Sequence, residues 1–370
     1  MAFAYKKSLT LAEAQSGTAD STNWPLTIAL DGVVQAADAD LKTVANGGFV
    51  QDANGYDIRP YSDSALTSAL TYELVYYQAT TGKLEMHVLI PTLSSSTDTV
   101  IYLAFGDAAL NTDGSSTSTW NSAYKAVWHW PDGTTLASLD STAGNNDGTI
   151  ANATAVAGAI DGAADFNGTT AQIEMANETN FDFERTDTFT ISTWIKGTAD
   201  PTTTQSIYAK QADNGGSDQG IIIAVGGTVA GDPYRIRLNS SGTSGIEVRF
   251  PRSNDTNWHH IAVTYSGSSA ASGVLMYLDS VAQTPTVSVD NLTTTILNNT
   301  VVSVGYRKYT ASLYFVGSLD EMRVSNVVRA QSWITAEYNA EKASSTFITW
   351  GARTSTTATG KSSLSLLGIT

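Results

Sequence analysis

The sequence has no cysteine, few charged residues and very few basic ones. Without cysteine the chain has no disulfide bonds, no thiolate metal site and no cysteine nucleophile. No apolar run approaches the ~20 residues that span a bilayer, so membrane insertion is not expected. The 20 Lys and Arg are outnumbered by 35 Asp and Glu, and the net charge is −15. Because such a field repels phosphate backbones, nucleic acid is not expected as a partner.

A secretion signal is also missing from the first residues, MAFAYKKSLTLAEA. They lack the apolar stretch of ~7–15 residues that such a signal needs. If Met1 is the native start, we expect the chain to be made in the cytoplasm and to leave the cell by a route other than general secretion.

What the chain has instead is a β-rich composition. Val, Ile, Tyr and Trp recur in short runs between turns rich in Gly, Asn and Asp. At 370 residues the chain suits two domains. We expect a first β unit at residues 1–112, a polar linker at 113–123, a two-sheet sandwich at 124–340, and a C-terminal strand and tail at 341–370.

Local patterns support this division. In FTISTWIKG the apolar Phe189 and Ile191 alternate with the polar Ser192, which is the period-two pattern of a strand. RAQSWITAEYNAEK has helical spacing and predicts one short helix after the last sandwich strand, opened by Ser332 or Gln331. The tail ends in the apolar LSLLGIT, and such a tail is often disordered unless a neighbouring subunit receives it.

Five motifs occur in order in the second unit: DSTAGNNDG, AADFNG, FTISTWIK, WHHIAVTY and GSLDEMRVSN. They resemble the motifs of laminin-G-like members of the concanavalin A-like lectin/glucanase superfamily, and the resemblance implies a jelly roll of two antiparallel sheets. In the first unit, NWPLTIALD, GYDIRPYSD and LTYELVYYQATTGKLEMHVLIPTL resemble a small all-β domain of unknown function, the DUF2341 family. The expected fold is all-β, with a small N-terminal sandwich or barrel, the jelly roll and one short helix.

The stretch DSTAGNNDGTI raises the question of a bound cation. Ca²⁺ prefers about six to eight oxygen ligands, and this turn offers several carboxylate and amide oxygens close together in sequence. In laminin-G-like relatives a metal often sits between this turn and the Asp of a G-x-L-D-E motif. The resemblance therefore implies Asp140, Asn146 and Asp320 as ligands of a structural Ca²⁺. The alternative is a turn in which Asp and Asn hydrogen-bond their own backbone, with no ion.

The patterns expected of a catalytic site are missing. A glycoside hydrolase needs two carboxylates that flank the scissile bond, and the Glu-x-Asp-x-x-Glu pattern of the superfamily's glucanases does not occur. The four histidines lie within strand patterns: His87, His129, His259 and His260. The adjacent pair should place one histidine in the core and one at the surface, and at least one of Asp320 and Glu321 should be solvated or salt-bridged. We predict that the protein is not an enzyme.

Exposed aromatic rings are the usual platforms for sugars, because a ring face can stack on a pyranose. The stretch YRKYTASLYF combines rings with hydrogen-bond donors, so Tyr306, Arg307 and Tyr309 are the predicted glycan-contacting residues. Other rings share this possibility but are mostly expected to fill cores: Trp128, Trp130, Tyr208 and Tyr234.

Together these observations favour a non-enzymatic virion surface protein of a bacteriophage, acting as a capsid decoration, head fibre or tail adhesin with a lectin-like jelly roll. The expected partners are other virion proteins, further copies of the chain in an oligomer, and cell-surface glycans. The alternative is a secreted bacterial adhesin or carbohydrate-binding accessory protein, located outside the cell or on its surface. A polysaccharide-cleaving enzyme is the third interpretation.

Overall fold

The computed structural model describes residues 2–131, 134–198, 201–213, 218–227, 233–240 and 244–356. Within these ranges the chain forms four antiparallel sheets and one α-helix, which confirms the all-β fold class. The predicted tail LSLLGIT lies outside the described residues. No helix of the described chain is long and apolar enough to cross a membrane.

The first unit contains six strands from the N-terminal part of the chain: β1 (Tyr5–Leu11), β2 (Ser21–Ala29), β3 (Arg59–Tyr61), β4 (Tyr72–Gln78), β5 (Lys83–Leu93) and β6 (Thr99–Phe105). Sheet A is built on β1, β6 and β3, and sheet B has the order β2-β5-β4. The β4–β5 hairpin turns at Gly82, whose φ of +77° favours glycine. A Cβ there would lie 2.0 Å from the carbonyl oxygen of Asp38, so the turn also needs glycine for space.

The jelly roll contributes sixteen strands: β7 (Tyr124–Trp128), β8 (Gly148–Ala151), β9 (Thr154–Ala157), β10 (Gly162–Asn167), β11 (Gln172–Met175), β12 (Phe189–Gly197), β13 (Gln205–Asp213), β14 (Asp218–Val225), β15 (Tyr234–Asn239), β16 (Gly245–Phe250), β17 (His259–Tyr265), β18 (Val274–Leu278), β19 (Val281–Ala282), β20 (Thr286–Asp290), β21 (Ser303–Val304) and β22 (Val316–Ser325). Sheet C has the order β19-β18-β17-β12-β22-β10-β9, with β7 paired to β22. Sheet D has the order β20-β16-β15-β14-β13-β21-β11-β8.

The core of the jelly roll lies between sheets C and D. It is apolar and rich in large rings, among them Trp128, Phe166 and Phe189, all of which are fully buried. The alternation predicted for FTISTWIKG is present, because Phe189 and Ile191 of β12 face this core. The opposite face of β12 is also buried, including Trp194, so water does not cover it.

The chain after β22 returns to the first unit. The predicted helix is confirmed as α1 (Gln331–Glu341), but its N-cap is Ala330, and no side chain caps it. Of the two residues predicted to open the helix, Gln331 is its first residue, whereas Ser332 lies inside its first turn. Two strands follow: β23 (Ile348–Trp350) and β24 (Thr354–Ser355). Both pair with β1, so the strand predicted at the start of residues 341–370 is present and completes sheet A.

The core of the first unit is completed by these later segments. Trp333 and Ala336 of α1 and Phe347 beyond it pack among the apolar residues of β1, β2 and β5. Trp120, in the stretch predicted as a linker, is buried in the same cluster. Short 3₁₀ turns connect the elements: Glu13–Gln15, Ala39–Leu41, Val44–Asn46, Thr117–Thr119, Glu178–Phe181, Ala271–Gly273 and Lys308–Thr310. The two units therefore share a buried boundary formed by sheet B, α1 and the outer face of sheet C.

Candidate functional site

Sheet B presents polar side chains to the jelly roll. Along β5, Leu84 and Met86 pack in the core of the first unit, whereas Glu85 and His87 point to the other face because strand side chains alternate. His87 is completely buried, and Glu85 is 2% exposed. Buried ionisable groups are rare in proteins unless they are paired or bind a ligand, so this face needs a partner.

Sheet C supplies the partner through an irregularity in β22. The pairing of β12 with β22 shifts between Ser192 and Trp194, and Glu321 opposite this shift has a φ of +48°. This β-bulge breaks the alternation of side chains. As a result both Asp320 and Glu321 are buried, at 0% and 2% exposure. Asp320 and Glu321 thus face the same side, because the bulge inserts an extra residue. The prediction that at least one of them is solvated or salt-bridged is confirmed by the ion pair of Glu321 with Arg323.

The helix brings two more carboxylates to the same boundary. Glu337 accepts a hydrogen bond of 2.8 Å from the hydroxyl of Ser192 on β12. Glu341 accepts one of 2.8 Å from the indole of Trp194 and one of 2.7 Å from the hydroxyl of Thr27 on β2. The helix therefore links sheet B to the outer face of sheet C.

Arg323 is the permanent cation of this boundary. Its guanidinium lies 2.7 Å from Glu321 and 3.4 Å from Glu337, and it also forms an ion pair with Glu341. The side chain is 2% exposed. Because three carboxylates converge on one guanidinium, Arg323 holds β22 and α1 together.

Two histidines lie beside this ion pair. His129 follows β7 and places its Nδ1 2.6 Å from Glu321 Oε1 and 3.8 Å from Glu85 Oε1. His87 places its Nε2 3.4 Å from Glu85 Oε1 and 4.0 Å from Glu321 Oε2. The two imidazole rings are stacked, with centroids 4.4 Å apart and planes inclined by 18°. The eight ionisable side chains at this boundary form the interface cluster: Glu73, Glu85, His87, His129, Glu321, Arg323, Glu337 and Glu341.

The pKa values within the interface cluster diverge. Burial and the neighbouring charge of Glu321 raise the pKa of Glu85 well above its usual value. Burial and the positive charge of His129 lower the pKa of His87. Burial alone would lower the pKa of His129, but the carboxylates of Glu321 and Glu73 raise it well above normal. Despite its burial, Glu321 has a lowered pKa because His129 and Arg323 stabilise its negative charge.

These groups can hold protons or a cation, because two imidazole nitrogens and two carboxylates meet at one point. Sequence reasoning missed this site by treating each histidine separately. One signal was present in LEMHVLI, where Glu85 and His87 are two apart on a strand and therefore share a face. The short distance from Glu85 and His87 to His129 and Glu321 could not be predicted from the sequence, since it depends on how the two units dock.

The three residues predicted to bind calcium are placed differently. The two carboxylate oxygens of Asp140 accept five hydrogen bonds, from the backbone of Val127, from the backbone and hydroxyl of Thr142, and from the backbone and side chain of Asn146. The side-chain oxygen of Asn146 accepts another from Asn180. These donors occupy the oxygens that Ca²⁺ would need, so the turn is built as the ion-free alternative requires.

Asp320 is held at a different place. Its Oδ2 accepts a hydrogen bond of 2.9 Å from the backbone of Ile160, while its Oδ1 has no partner among the described residues. Of the three predicted ligands, only Asp140 and Asn146 are in direct contact with each other. The arrangement does not fit a calcium ion shared by all three residues, and calcium binding stays a prediction.

The predicted glycan residues divide into one buried ring and two accessible side chains. Tyr306 is 2% exposed, because its ring stacks on Tyr314 and its hydroxyl bonds to Glu174. It offers no free face to a sugar, which corrects its place among the candidates. Arg307 and Tyr309 are partly exposed, and the guanidinium lies 4.7 Å from the centre of the Tyr309 ring. The four other candidate rings are buried: Trp128, Trp130, Tyr208 and Tyr234.

The outer face of sheet D carries a concentration of arginines. Arg235 and Arg237 of β15 and Arg249 of β16 surround Glu247, at distances of 2.6–3.2 Å. Arg307 and Arg237 share Asp218, at 3.1 and 3.2 Å. We call Arg235, Arg237, Arg249 and Arg307 the arginine face. Four guanidinium groups there form ion pairs with two carboxylates, and Asp213 lies across the strands from one of them, Asp218, in a chain whose net charge is −15.

The adjacent histidines follow the predicted division. His260 is 1% exposed and bonds through Nε2 to Glu337 at 3.1 Å. His259 is partly exposed and lies between Asp279 and Asp255, at 2.7 and 3.0 Å. The prediction of one packed and one surface histidine is confirmed.

Comparison with known proteins supports the fold of the second unit. Residues 167–335 match the laminin-G-type family described as the concanavalin A-like lectin/glucanases superfamily, so this part carries a concanavalin A-like jelly-roll domain. The match leaves the first unit uncovered, and its resemblance to the DUF2341 family stays a prediction. No curated protein matches the sequence.

Among solved structures, the chain is similar to the binding domain of Paraclostridial Mosquitocidal Protein 1, with 15% identity over 59% of this chain and 52% of that chain and a TM-score of 0.47. It is also similar to the botulinum neurotoxin serotype C1 binding domain, with 12% identity over 60% of this chain and 53% of that chain and a TM-score of 0.46. The chain spans about half the length of these structures.

Proposed function

We propose that this protein is a non-enzymatic, lectin-like binding module and that its arginine face binds acidic glycans. The observation that carries the proposal is the excess of guanidinium groups on one partly exposed sheet face of an acidic protein. The concanavalin A-like domain at residues 167–335 supports it, because this superfamily includes lectins.

The arginine face suits a carboxylated sugar. Each guanidinium is a planar fork of N–H donors that matches a carboxylate in a bidentate manner. Glu247 and Asp218 order the four guanidinium groups, which reduces the entropy lost when a ligand binds. The four side chains are 16–29% exposed, so part of each fork is accessible to solvent.

A loop beside the arginine face adds an aromatic wall. Leu313 of this loop packs on Ala209, Ile222 and Ala224 and fixes the loop on the outer face of sheet D. Tyr309 is anchored by a hydrogen bond to Asp218 next to the guanidinium groups. An acidic sugar can be recognised by an aromatic ring beside several guanidinium groups. The ring stacks on the apolar hydrogens of the sugar, and the guanidinium groups bind its carboxylate.

The test is a binding assay with pairs of glycans that differ only in the carboxyl group. We expect uronate- or sialate-containing oligosaccharides to bind and their carboxyl-reduced forms to bind at least about tenfold more weakly, because a charge-assisted hydrogen bond contributes about 1.5–3 kcal/mol. The double variant Arg237→Gln, Arg307→Gln should lose this discrimination. Arg185→Gln, which removes a jelly-roll arginine bonded to Ser269, is the matched control and should bind normally. Equal binding of both members of each pair would contradict the proposal.

The proposed setting is the surface of a bacteriophage particle, with self-association and contacts to other virion proteins. What supports it is the combination of two β units in one chain, since one unit can dock on a particle while the other faces outward. Mass spectrometry of purified particles should detect the protein, and capsid or tail genes should lie beside its own. Recovery from a bacterial culture supernatant free of particles would support the alternative, a secreted adhesin, and would overturn the virion setting.

A further inference from the structure

We propose that Glu85, His87, His129 and Glu321 form a binding site for one divalent transition-metal ion of the zinc type, which clamps the first unit to the jelly roll. The four side chains each offer one ligand atom, and these atoms all lie within 4.8 Å of one another. All four residues are at least 95% buried. This inference is independent of glycan binding, which involves a different face of the molecule.

The ligand chemistry is that of a borderline metal ion. Two imidazole nitrogens and two carboxylate oxygens suit Zn²⁺ and its first-row neighbours, whereas Ca²⁺ and Mg²⁺ prefer oxygen alone. Zinc bonds of about 2.0–2.1 Å place neighbouring tetrahedral ligand atoms roughly 3.3 Å apart. With Glu321 binding through Oε1, the three nitrogen-to-oxygen separations that the structure gives are 2.6, 3.4 and 3.8 Å, which bracket that value.

A second observation concerns the residues that contact the non-ligating atoms of the proposed ligands. Ligating histidines usually bond through their other nitrogen to a carboxylate or another acceptor, which fixes the orientation of the ring. His129 has its Nε2 3.4 Å from Glu73 Oε2, and His87 has its Nδ1 3.3 Å from the hydroxyl of Thr27. Glu321 bonds through its second oxygen to Arg323 at 2.7 Å. Three of the four proposed ligands therefore contact a supporting residue through the atom that does not face the metal.

These supporting groups are themselves fixed. Glu73 accepts hydrogen bonds from the indole of Trp120 and from the hydroxyl of Ser141 at 2.6 Å. The Trp120 ring lies 5.0 Å from the His87 ring and 5.5 Å from the His129 ring, measured between centroids. It shields the imidazoles from solvent, which strengthens electrostatic interactions with a bound cation.

The local charge also favours a cation. Five glutamates of the interface cluster face one arginine and three histidines, since His260 also contacts Glu337. Burying a carboxylate without compensation is costly, and a divalent ion compensates two of them at once. Arg323 forms ion pairs with Glu321, Glu337 and Glu341, and no ion pair joins it to Glu85 within the described part of the chain.

Metal binding would require one local adjustment. A metal ion lies in the plane of each imidazole that binds it, whereas the rings of His87 and His129 are nearly parallel. One ring must therefore rotate about its Cβ–Cγ bond to aim its nitrogen at a shared ion, and the contact that its other nitrogen makes to Glu73 or to Thr27 changes with this rotation. This torsion has a broad, shallow energy profile in histidine.

The site would connect parts of the chain that are far apart. Glu85 and His87 belong to β5, His129 follows β7, and Glu321 lies on β22, 192 residues beyond His129. A metal held by these segments joins sheet B to sheet C. The clamp would therefore stabilise the docking of the two units.

The first experiment measures metal in the full chain. The protein is purified without chelators, stripped by dialysis against a chelator, reloaded with ZnCl₂ and analysed by inductively coupled plasma mass spectrometry. We expect about one zinc per chain, competition with a chromophoric chelator, and a higher melting temperature with zinc. CoCl₂ should give the visible absorption of a tetrahedral Co²⁺ site. Trace zinc only, with no competition and no shift in melting temperature, would overturn the proposal.

The second experiment locates the metal. His87→Gln and His129→Gln should each weaken zinc binding by at least about a hundredfold and abolish the Co²⁺ spectrum, because each removes a direct ligand. His259→Gln is the matched control, since it removes a histidine of sheet C that lies between Asp255 and Asp279, and it should bind one zinc. Unchanged zinc affinity in folded His87→Gln and His129→Gln would overturn the site. The wild-type measurements decide the proposal if these variants do not fold.

Discussion

The two faces of β22 in sheet C are both buried, yet their chemistry is opposite. On β22, Met322 and Val324 point into the apolar core of the jelly roll, whereas Glu321 and Arg323 point to the first unit. Neighbouring residues of one strand thus enter two different interiors. The comparison teaches that burial alone does not select apolar residues, because ionisable groups are tolerated where each finds a partner.

The two interiors also differ in what they contribute. Apolar packing stabilises the jelly roll through dispersion and hydrophobic burial, which are not directional. The interface cluster demands exact partners, because a buried charge that loses its partner is strongly destabilising. We infer that the apolar core supplies most of the stability, and that the interface cluster determines how the two units dock.

The largest effect should come from Arg323→Met, which keeps most of the side-chain volume and removes the charge. Three carboxylates, Glu321, Glu337 and Glu341, would then lose their common cation. We expect a loss of about 3–5 kcal/mol in the free energy of unfolding, measured by urea denaturation. Arg353→Met, at a partly exposed arginine of the first unit, is the control and should cost much less. A loss below about 1 kcal/mol for Arg323→Met would break the proposed contrast between the faces.

A comparable but smaller loss should follow from Met322→Ala on the opposite face. This change leaves a cavity in the apolar core and should cost about 2–4 kcal/mol. Met322→Leu preserves the volume and should cost less than about 1.5 kcal/mol. A small loss of unfolding free energy in Met322→Leu and a large loss in Arg323→Met would sharpen the comparison, because both variants keep most of the side-chain volume. Equal losses for both Met322 variants would argue against a tightly packed core.

The two faces should also respond differently to acid. Although burial alone would raise it, Arg323 and His260 lower the pKa of Glu337 to about 2. A lowered pKa means that the carboxylate stabilises the folded protein above its usual pKa of about 4.5 and loses this contribution as the pH falls towards 2. The cost of Glu337→Gln should therefore shrink between pH 4.5 and 2, whereas the cost of Met322→Ala should stay constant. Unfolding curves across this range give both values, and parallel profiles would contradict the pKa assignment.

The smallest effect should be that of calcium. Because N–H and O–H donors already surround the Asp140 oxygens, added Ca²⁺ should leave the melting temperature unchanged at constant zinc. Asp140→Ala should still destabilise the turn by about 1–3 kcal/mol, since it leaves buried donors without an acceptor. A rise in melting temperature with calcium that Asp140→Ala abolishes would instead support the ligand set predicted from the resemblance.

Features set by neighbouring residues were predictable. Alternating apolar residues identified β12, and helical spacing identified α1. These predictions succeeded because strand period and helix period depend on contacts within a few residues. The exposure of Tyr306 was not predictable in this way, because Tyr314 and Glu174 reach it only after folding.

The sequence by itself determined the class of the protein: short alternating strands, one helix and an acidic chain without cysteine can form sandwiches but no disulfide framework. Only the tertiary structure decided that Glu85, His87, His129 and Glu321 would meet. Their encounter depends on the docking of two sheets and on a bulge at Glu321, which are long-range events. Local propensity carries no information about them, because the energy that places these four side chains together comes from the buried boundary between the two units.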